Sequence, residues 1–283
     1  MDIQRQWERV RGPAAGWFAI KCQRCIRICV RLDCIVKIRV VTYNVHKCLG
    51  GVDRRYDPVR VAEVICHYQP DIVLLQEVGY RARGSTRDRQ VDVLAELVDL
   101  PHRLWLPNVR LRSGGAYGNA ILSRWALHDQ ENLNLTIPPK KRRSALHARL
   151  RLAVKDGHED DGRTRTLHLF NMHLGLSGIE RRMQLRRFIA SARFRRVARD
   201  TPALVAGDLN DIWGTLGRKV LGPAGFRGSR QTPKTFPAYA PVRPLDGVYV
   251  RGDVQLEYLM ASRLKLARQA SDHLPLVAEL TLE

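Results

Sequence analysis

"ALVAGDLNDIW", residues 203–213, carries an apolar run from Ala203 to Ala206 through Gly207 into Asp208, Asn210 and Asp211. A buried strand reads this way until its polar end leaves the sheet. A strand that finishes in a carboxylate and an amide offers acceptors or ligands to something beyond the sheet edge. Gly207 is expected to let the chain turn at that edge so that Asp208 and Asn210 face outward, with Asp211 as a cap or turn residue.

The same ending recurs elsewhere. "KIRVVTYNV" (37–45) alternates, turns apolar and closes near Asn44, and "DIVLLQEV" (71–78) closes on Gln76 and Glu77. "TRTLHLFNMHL" (164–174) finishes at His173, "LDGVYVRG" (245–252) starts beside Asp246, and "HLPLVAELTL" (273–282) follows Asp272 and His273. "RLWLP", "AYGNAILS", "RSALHARLRLAV" and "VQLEYLMAS" supply further strands.

Between them lie helical patterns. "DPVRVAEVICHYQP" (57–70) places Asp57 as N-cap, Pro58 at the first helical position and Pro70 as the stop. "VDVLAELVDL" (91–100) reads as a second helix. "IERRMQLRRFIASARFRRVARD" (179–200) reads as a basic amphipathic helix with Ile179, Met183, Leu185, Phe188, Ile189, Ala192 and Val197 on one face. Strands and helices interleave without a strict βαβ rhythm, which predicts an α/β (α+β) chain with a mixed sheet or two stacked sheets and helices outside. No repeat or linker divides residues 37–283, so they form one domain. Residues 1–36, broken in pattern and crowded with cysteines, read as an extension outside it.

Composition narrows the partner. Of 283 residues 45% are hydrophobic, enough for a large core, while 48 Lys and Arg against 28 Asp and Glu give a formal charge of +20. That excess favours anions: nucleic acid, phosphorylated small molecules or an acidic lipid surface. The arginines cluster at Arg81–Arg89, Lys140–Arg143 and Arg181–Arg199, although a merely solvated basic surface would show the same runs. Cys22, Cys25, Cys29 and Cys34 lack the matched pairs of a zinc site, and Cys48 and Cys66 are distant singles with no secretory signal upstream, so reduced thiols in the cytoplasm are expected. No stretch reaches the roughly 18 apolar residues of a membrane span. A monomer is expected.

Carboxylates at several strand ends need either dispersal or a shared site with cations to offset their repulsion. Oxygen donors such as Glu77, Asp272 and the Asn44 amide suit magnesium or manganese. Taken in order, "TYNVHK", "DIVLLQEV", "YGNAILSR", "NMHLG", "VAGDLND", "LDGVYV" and "SDHLPLVAEL" resemble the endonuclease/exonuclease/phosphatase (deoxyribonuclease I-like) superfamily over residues 37–283.

The resemblance implies a four-layered α/β/β/α sandwich of two mixed sheets and metal-dependent hydrolysis of a phosphate ester. It implies that Glu77 holds magnesium, for which manganese could substitute, with Asn44 beside it and Asp272 as a second contact. Asp208 would orient or deprotonate the attacking water, and His273, paired with Asp246, would bind a phosphate oxygen or move a proton. His173 and Asn210 would donate to the remaining oxygens, and Tyr117 would touch the phosphate. Where many nuclease relatives carry a carboxylate two residues beyond the asparagine, this chain has His46, a poor magnesium ligand.

The leading expectation is a phosphodiesterase acting on nucleic acid. A hydrolase of a lipid head group or small phosphorylated metabolite, docking peripherally on an acidic membrane, is the alternative. A non-enzymatic binding module is disfavoured by the intact set of acids and histidines. Removing residues 1–34 is expected to leave hydrolysis nearly unchanged, measured on the purified truncated chain; a truncated chain that fails to fold would place the extension on the core.

Overall fold

In the strand Val36–Asn44, Ile38 and Val40 point to one face and Val41 and Tyr43 to the other, all of them buried. Period-two alternation with both faces apolar demands cover on both sides. The computed structural model supplies it as a second sheet on one side and helices on the other. It describes residues 35–81, 89–112, 114–153, 164–229 and 231–282, together with the backbone of three N-terminal strands. The loop arginines at 83 and 87, the loop 155–163 and Cys34 lie outside the described residues.

Strands β1 (Arg9–Arg11), β2 (Trp17–Cys22) and β3 (Cys25–Arg31) pair antiparallel in a small sheet within the segment read as an irregular extension. The first large sheet contains β4 (Val36–Asn44), β5 (Ile72–Tyr80), β6 (His102–Arg110) and β7 (Ala116–Ser123). The second begins with β8 (His128–Asn134), β9 (Ser144–Ala153), β10 (Thr164–His173) and β11 (Ala203–Asp208), and adds β12 (Arg227–Gly228) and β13 (Asp246–Arg251). The chain then returns to the first sheet with β14 (Val254–Ala261) and β15 (Leu276–Leu282).

The strand orders are β14-β15-β4-β5-β7-β6 and β12-β13-β11-β10-β9-β8. Each sheet has one parallel pair, β4 with β5 and β10 with β11, among antiparallel neighbours, so both are mixed. Side chains from both sheets, among them Val40, Leu74, Leu150, Leu169, Leu204 and Leu280, fill the central layer. The outer faces are covered by α1 (Pro58–His67) with α2 (Gln90–Leu97), and by α3 (Gly178–Ala190) with α4 (Ala192–Arg195). The result is the α/β/β/α sandwich. Asp57 caps α1 as its sequence predicts, accepting from the Arg60 N–H at 2.9 Å.

The third helical pattern behaves differently. Ser191 interrupts it, and its hydroxyl caps α4. Leu185, Phe188 and Val197 are buried as expected, but Ile179 and Met183 lie in solvent while Glu180, Arg181 and Gln184 face inward. The reason is polar: the chain leaving β10 passes beneath the helix, and Gln184 Oε1 accepts from the Gly175 N–H at 2.8 Å while Arg181 donates to the Leu176 carbonyl. Satisfying a buried turn outranks the apolar count along the helix.

One amide stitches the two sheets. Asn171 on β10 donates through Nδ2 to the carbonyls of Leu75 and Ala120 of the other sheet, both at 2.8 Å, and its Oδ1 accepts from Gln76 Nε2 at 2.7 Å. Replacing Asn171 with Ala takes a donor from two buried carbonyls and leaves Gln76 Nε2 with Thr42 and Leu74 alone, so a loss of about 2–4 kcal/mol is expected. Urea unfolding measures it, as a lower midpoint at unchanged slope.

Candidate active site

The polar strand ends do converge. Asn44, Glu77, His173 and Asp208 stand at or near the exits of β4, β5, β10 and β11, while Asp246 opens β13 and His273 precedes β15. Because β13 and β15 run antiparallel to β11 and β4, their starts lie at the same edge as those exits.

Two residues reach the edge through special backbone. On β5 the pairing jumps from Leu75 opposite Ala120 to Val78 opposite Gly118, and Glu77 lies in this bulge with φ 56°. The bulge breaks the alternation and redirects Glu77. Gly207 turns out not to make the turn: it lies inside β11 with φ 137°, and a Cβ there would stand 2.0 Å from the Met172 carbonyl oxygen. It permits close approach of β10, and the turn itself falls at Asn210, φ 50°. Asp211 acts as a turn residue, accepting from the Leu216 N–H.

Asp208 is the centre. Its Oδ2 accepts from Asn44 Nδ2 at 3.0 Å and its Oδ1 from the Asn210 N–H at 2.9 Å. His173 Nε2 and His273 Nε2 stand 3.5 and 3.8 Å from Oδ2. Burial raises the Asp208 carboxyl, with the charge of Asp246 acting in the same direction, to about 6. The two histidines are driven apart. Burial, then the positive charge of Arg143, pushes His173 down to about 3. Burial also works against charge on His273, but the carboxylates of Asp246 and Asp208 overcome it and lift the ring to about 10. His273 Nδ1 donates to Asp246 Oδ2 at 2.9 Å, and Thr235 Oγ1 donates to the same oxygen. At neutral pH one imidazole is therefore neutral and the other charged.

On the opposite flank, Glu77 meets the Lys47 ammonium, which also stands 4.9 Å from the centre of the Tyr117 ring. Burial raises the Glu77 carboxyl, yet His173 and Lys47 bring it below its ordinary value; with His173 uncharged at neutral pH, Lys47 is the operative partner. Lys47 sits in a turn where His46, Lys47 and Cys48 all have left-handed backbone, φ 46°, 61° and 57°. Nothing in "NVHK" marked Lys47, because the left-handed turn that aims it is a backbone property. Asn210 spends one amide donor on the Leu174 carbonyl at 2.9 Å. Asp272 is the most open member of the set, its Oδ1 3.8 Å from His46 Nδ1.

Among the described residues, Asp208, Asp246 and His273 form a group of three acids and histidines whose ligating atoms lie within 4.8 Å of one another. Its own hydrogen bonds, from His273 Nδ1 to Asp246 Oδ2 and from Asn44 and Asn210 to the two Asp208 oxygens, suit it to handling a proton. Glu77 and the Asn44 amide fit a hard cation better: Glu77 is held ionised, is already in contact with a cationic group, and offers oxygen. Among the described residues Asn44 Oδ1 accepts only the His46 N–H, at 3.1 Å.

The endonuclease/exonuclease/phosphatase family model matches residues 41–273, and the chain belongs to that family. It is 27% identical over 254 residues to the uncharacterized protein YbhP of Escherichia coli K12, covering 86% of this chain and 96% of that protein. An endonuclease/exonuclease/phosphatase structure from Beutenbergia cavernae matches with TM-score 0.71 and 24% identity, over 87% of this chain and 72% of that one. D. rerio TDP2 complexed with a single-strand DNA product matches at TM-score 0.59 and 19% identity, over 86% and 98%. A Bacteroides thetaiotaomicron mannosyl-6-phosphatase matches at 0.62 and 15%, over 86% and 99%. These likenesses carry the fold and leave the substrate open.

The pH profile follows from Asp208 and His273. A base must be ionised, so kcat/KM is expected to fall as pH drops through about 6; the imidazolium must be charged, so it is expected to fall again as pH rises through about 10. A profile flat from pH 5 to 8 would remove Asp208 from the base role.

Proposed function

We propose that this chain is a divalent-metal-dependent phosphodiester hydrolase with nucleic acid as its leading substrate. The observation that carries the reading is the buried Asp208 carboxylate, its two oxygens held by Asn44 and Asn210 and its Oδ2 flanked by His173 Nε2 and His273 Nε2 at 3.5 and 3.8 Å.

Asp208 accepts the proton of the attacking water. The Asn44 amide and the Asn210 N–H hold its two oxygens, so the lone pair that takes the proton has one direction. His273, oriented by Asp246, presents its Nε2 proton to a phosphoryl oxygen, where negative charge grows as the bond to water forms. His173, neutral, donates a hydrogen bond to a second oxygen. Tyr117 and Lys47 bound the far side. Glu77 and Asn44, with Asp272 at their flank, are the residues that would hold magnesium or manganese, and a bound ion would polarise the phosphoryl group and offset its charge.

The arginine runs support a polyanionic substrate. A lipid head group or small phosphorylated metabolite is the second reading, because the same arginines would suit an acidic membrane surface. No described helix is long and apolar enough to cross a membrane.

Asp208→Asn and His273→Ala are each expected to lower kcat about a thousand-fold with the fold intact by circular dichroism. Full turnover by either variant refutes its role. Chelation by EDTA is expected to abolish activity and magnesium or manganese to restore it. Binding that weakens steeply between low and moderate salt would favour nucleic acid; a flat salt response would favour a small substrate.

A further inference from the structure

A cavity of about 490 Å³ carries Arg142, Arg143 and Arg187 on its walls. The rest of its lining is prolines, hydroxyls and the amides of Asn108, Asn132 and Asn134, with no carboxylate among the described residues. No ion pair joins these three arginines to a carboxylate among those residues either. The contrast is with a cavity of about 600 Å³ where Arg195, Arg199, Arg227 and Arg251 share the walls with the carboxylates of Asp200 and Asp253. Three guanidinium groups around one hollow repel each other, and an anion is the partner that relieves this.

The cavity adjoins the catalytic edge. Ser144 begins β9 almost opposite His173, since the neighbouring Ala145 pairs with Met172. Its hydroxyl donates to Asn108 Oδ1 of β6 at 2.6 Å, and next to Asn108 on that strand Val109 pairs with Tyr117. Arg143 links the two places. It is buried at 8% exposure, its Nε has no partner among the described residues, and its charge bears on both His173 and Tyr117. A largely buried guanidinium with no carboxylate beside it is costly unless an anion meets it. The volume suits a phosphate with part of its carrier.

We propose that this cavity binds a second phosphate group of the substrate molecule, next to the phosphate that reacts at Asp208. The inference rests on the phosphodiesterase reading and narrows it to substrates carrying at least two phosphates.

The test is equilibrium binding in magnesium buffer to Asp208→Asn protein, in which turnover is suppressed. Two ligand pairs are compared by calorimetry: thymidylyl-thymidine against its terminally phosphorylated form, and a hexose monophosphate against the hexose bisphosphate. The added phosphate is expected to tighten binding at least ~10-fold in one pair. A gain in the dinucleotide pair assigns a polynucleotide, and a gain in the hexose pair alone assigns a metabolite. Adding Arg142→Ala and Arg187→Ala, both at exposed positions, is expected to bring that ratio close to one. Adding Arg195→Ala and Arg199→Ala, an equal loss of charge at the cavity that also holds carboxylates, is expected to leave it in place. No preference in either pair, or a preference that survives removal of Arg142 and Arg187, or that falls equally with the control, overturns the proposal. Hydrolysis of bis-p-nitrophenyl phosphate by the unmodified chain is followed in parallel. Absent turnover with a retained phosphate preference would sink the hydrolase reading and keep the cavity.

Discussion

The Asn171 carboxamide spans the seam between the sheets, and the strand ends of one sheet meet those of the other across it. An amide buried between two apolar sheets is tolerable only when its donors and acceptor are matched, which happens at one relative position of β10 against β5 and β7. Leucines and valines alone would fill that layer in many offsets. The amide selects the offset in which His173 and Asp208 on one sheet stand level with Asn44 and Glu77 on the other. The hydrogen bond from Asn44 to Asp208 then closes the seam at the site itself.

Charge is arranged as tightly as geometry. Two carboxylates, Asp208 and Asp246, are buried beside each other, a placement that would drive one to take up a proton if left alone. The His273 imidazolium stands between them and serves both, while His173, on the other side of Asp208 and under the field of Arg143, stays neutral. The same side-chain type thus performs two tasks because its neighbours differ. Removing Asp246 would disturb His273 and Asp208 together, since both respond to its charge.

Much of this was legible in the chain. Asp208, His173 and Glu77 were visible as polar ends of apolar runs, and Asp57 and Pro58 announced α1, because strand alternation and helix caps are local properties. The misses have non-local causes. The inward face of α3 was hidden because Glu180, Arg181 and Gln184 answer a turn that lies below the helix rather than a pattern along it. Gly207 looked like a turn because its real constraint, the carbonyl of Met172, belongs to another strand. Lys47 went unremarked and Arg143 stood only as one member of a basic run, and only folding separates a lysine aimed at Glu77 from one in water. The bulge that presents Glu77 exists only by comparison with its partner strand.

The ion pair of Lys47 with Glu77 has a bearing on biogenesis. A buried carboxylate without a counter-charge penalises the folded state, and proteins that depend on an ion for that charge unfold when the ion is withheld. Here the counter-charge is tethered to the chain, in a turn three residues beyond Asn44. The newly made polypeptide therefore carries its own neutralising group for Glu77 while the sheets assemble. A metal taken up at Glu77 would displace the ammonium, an exchange of one cation for another after folding.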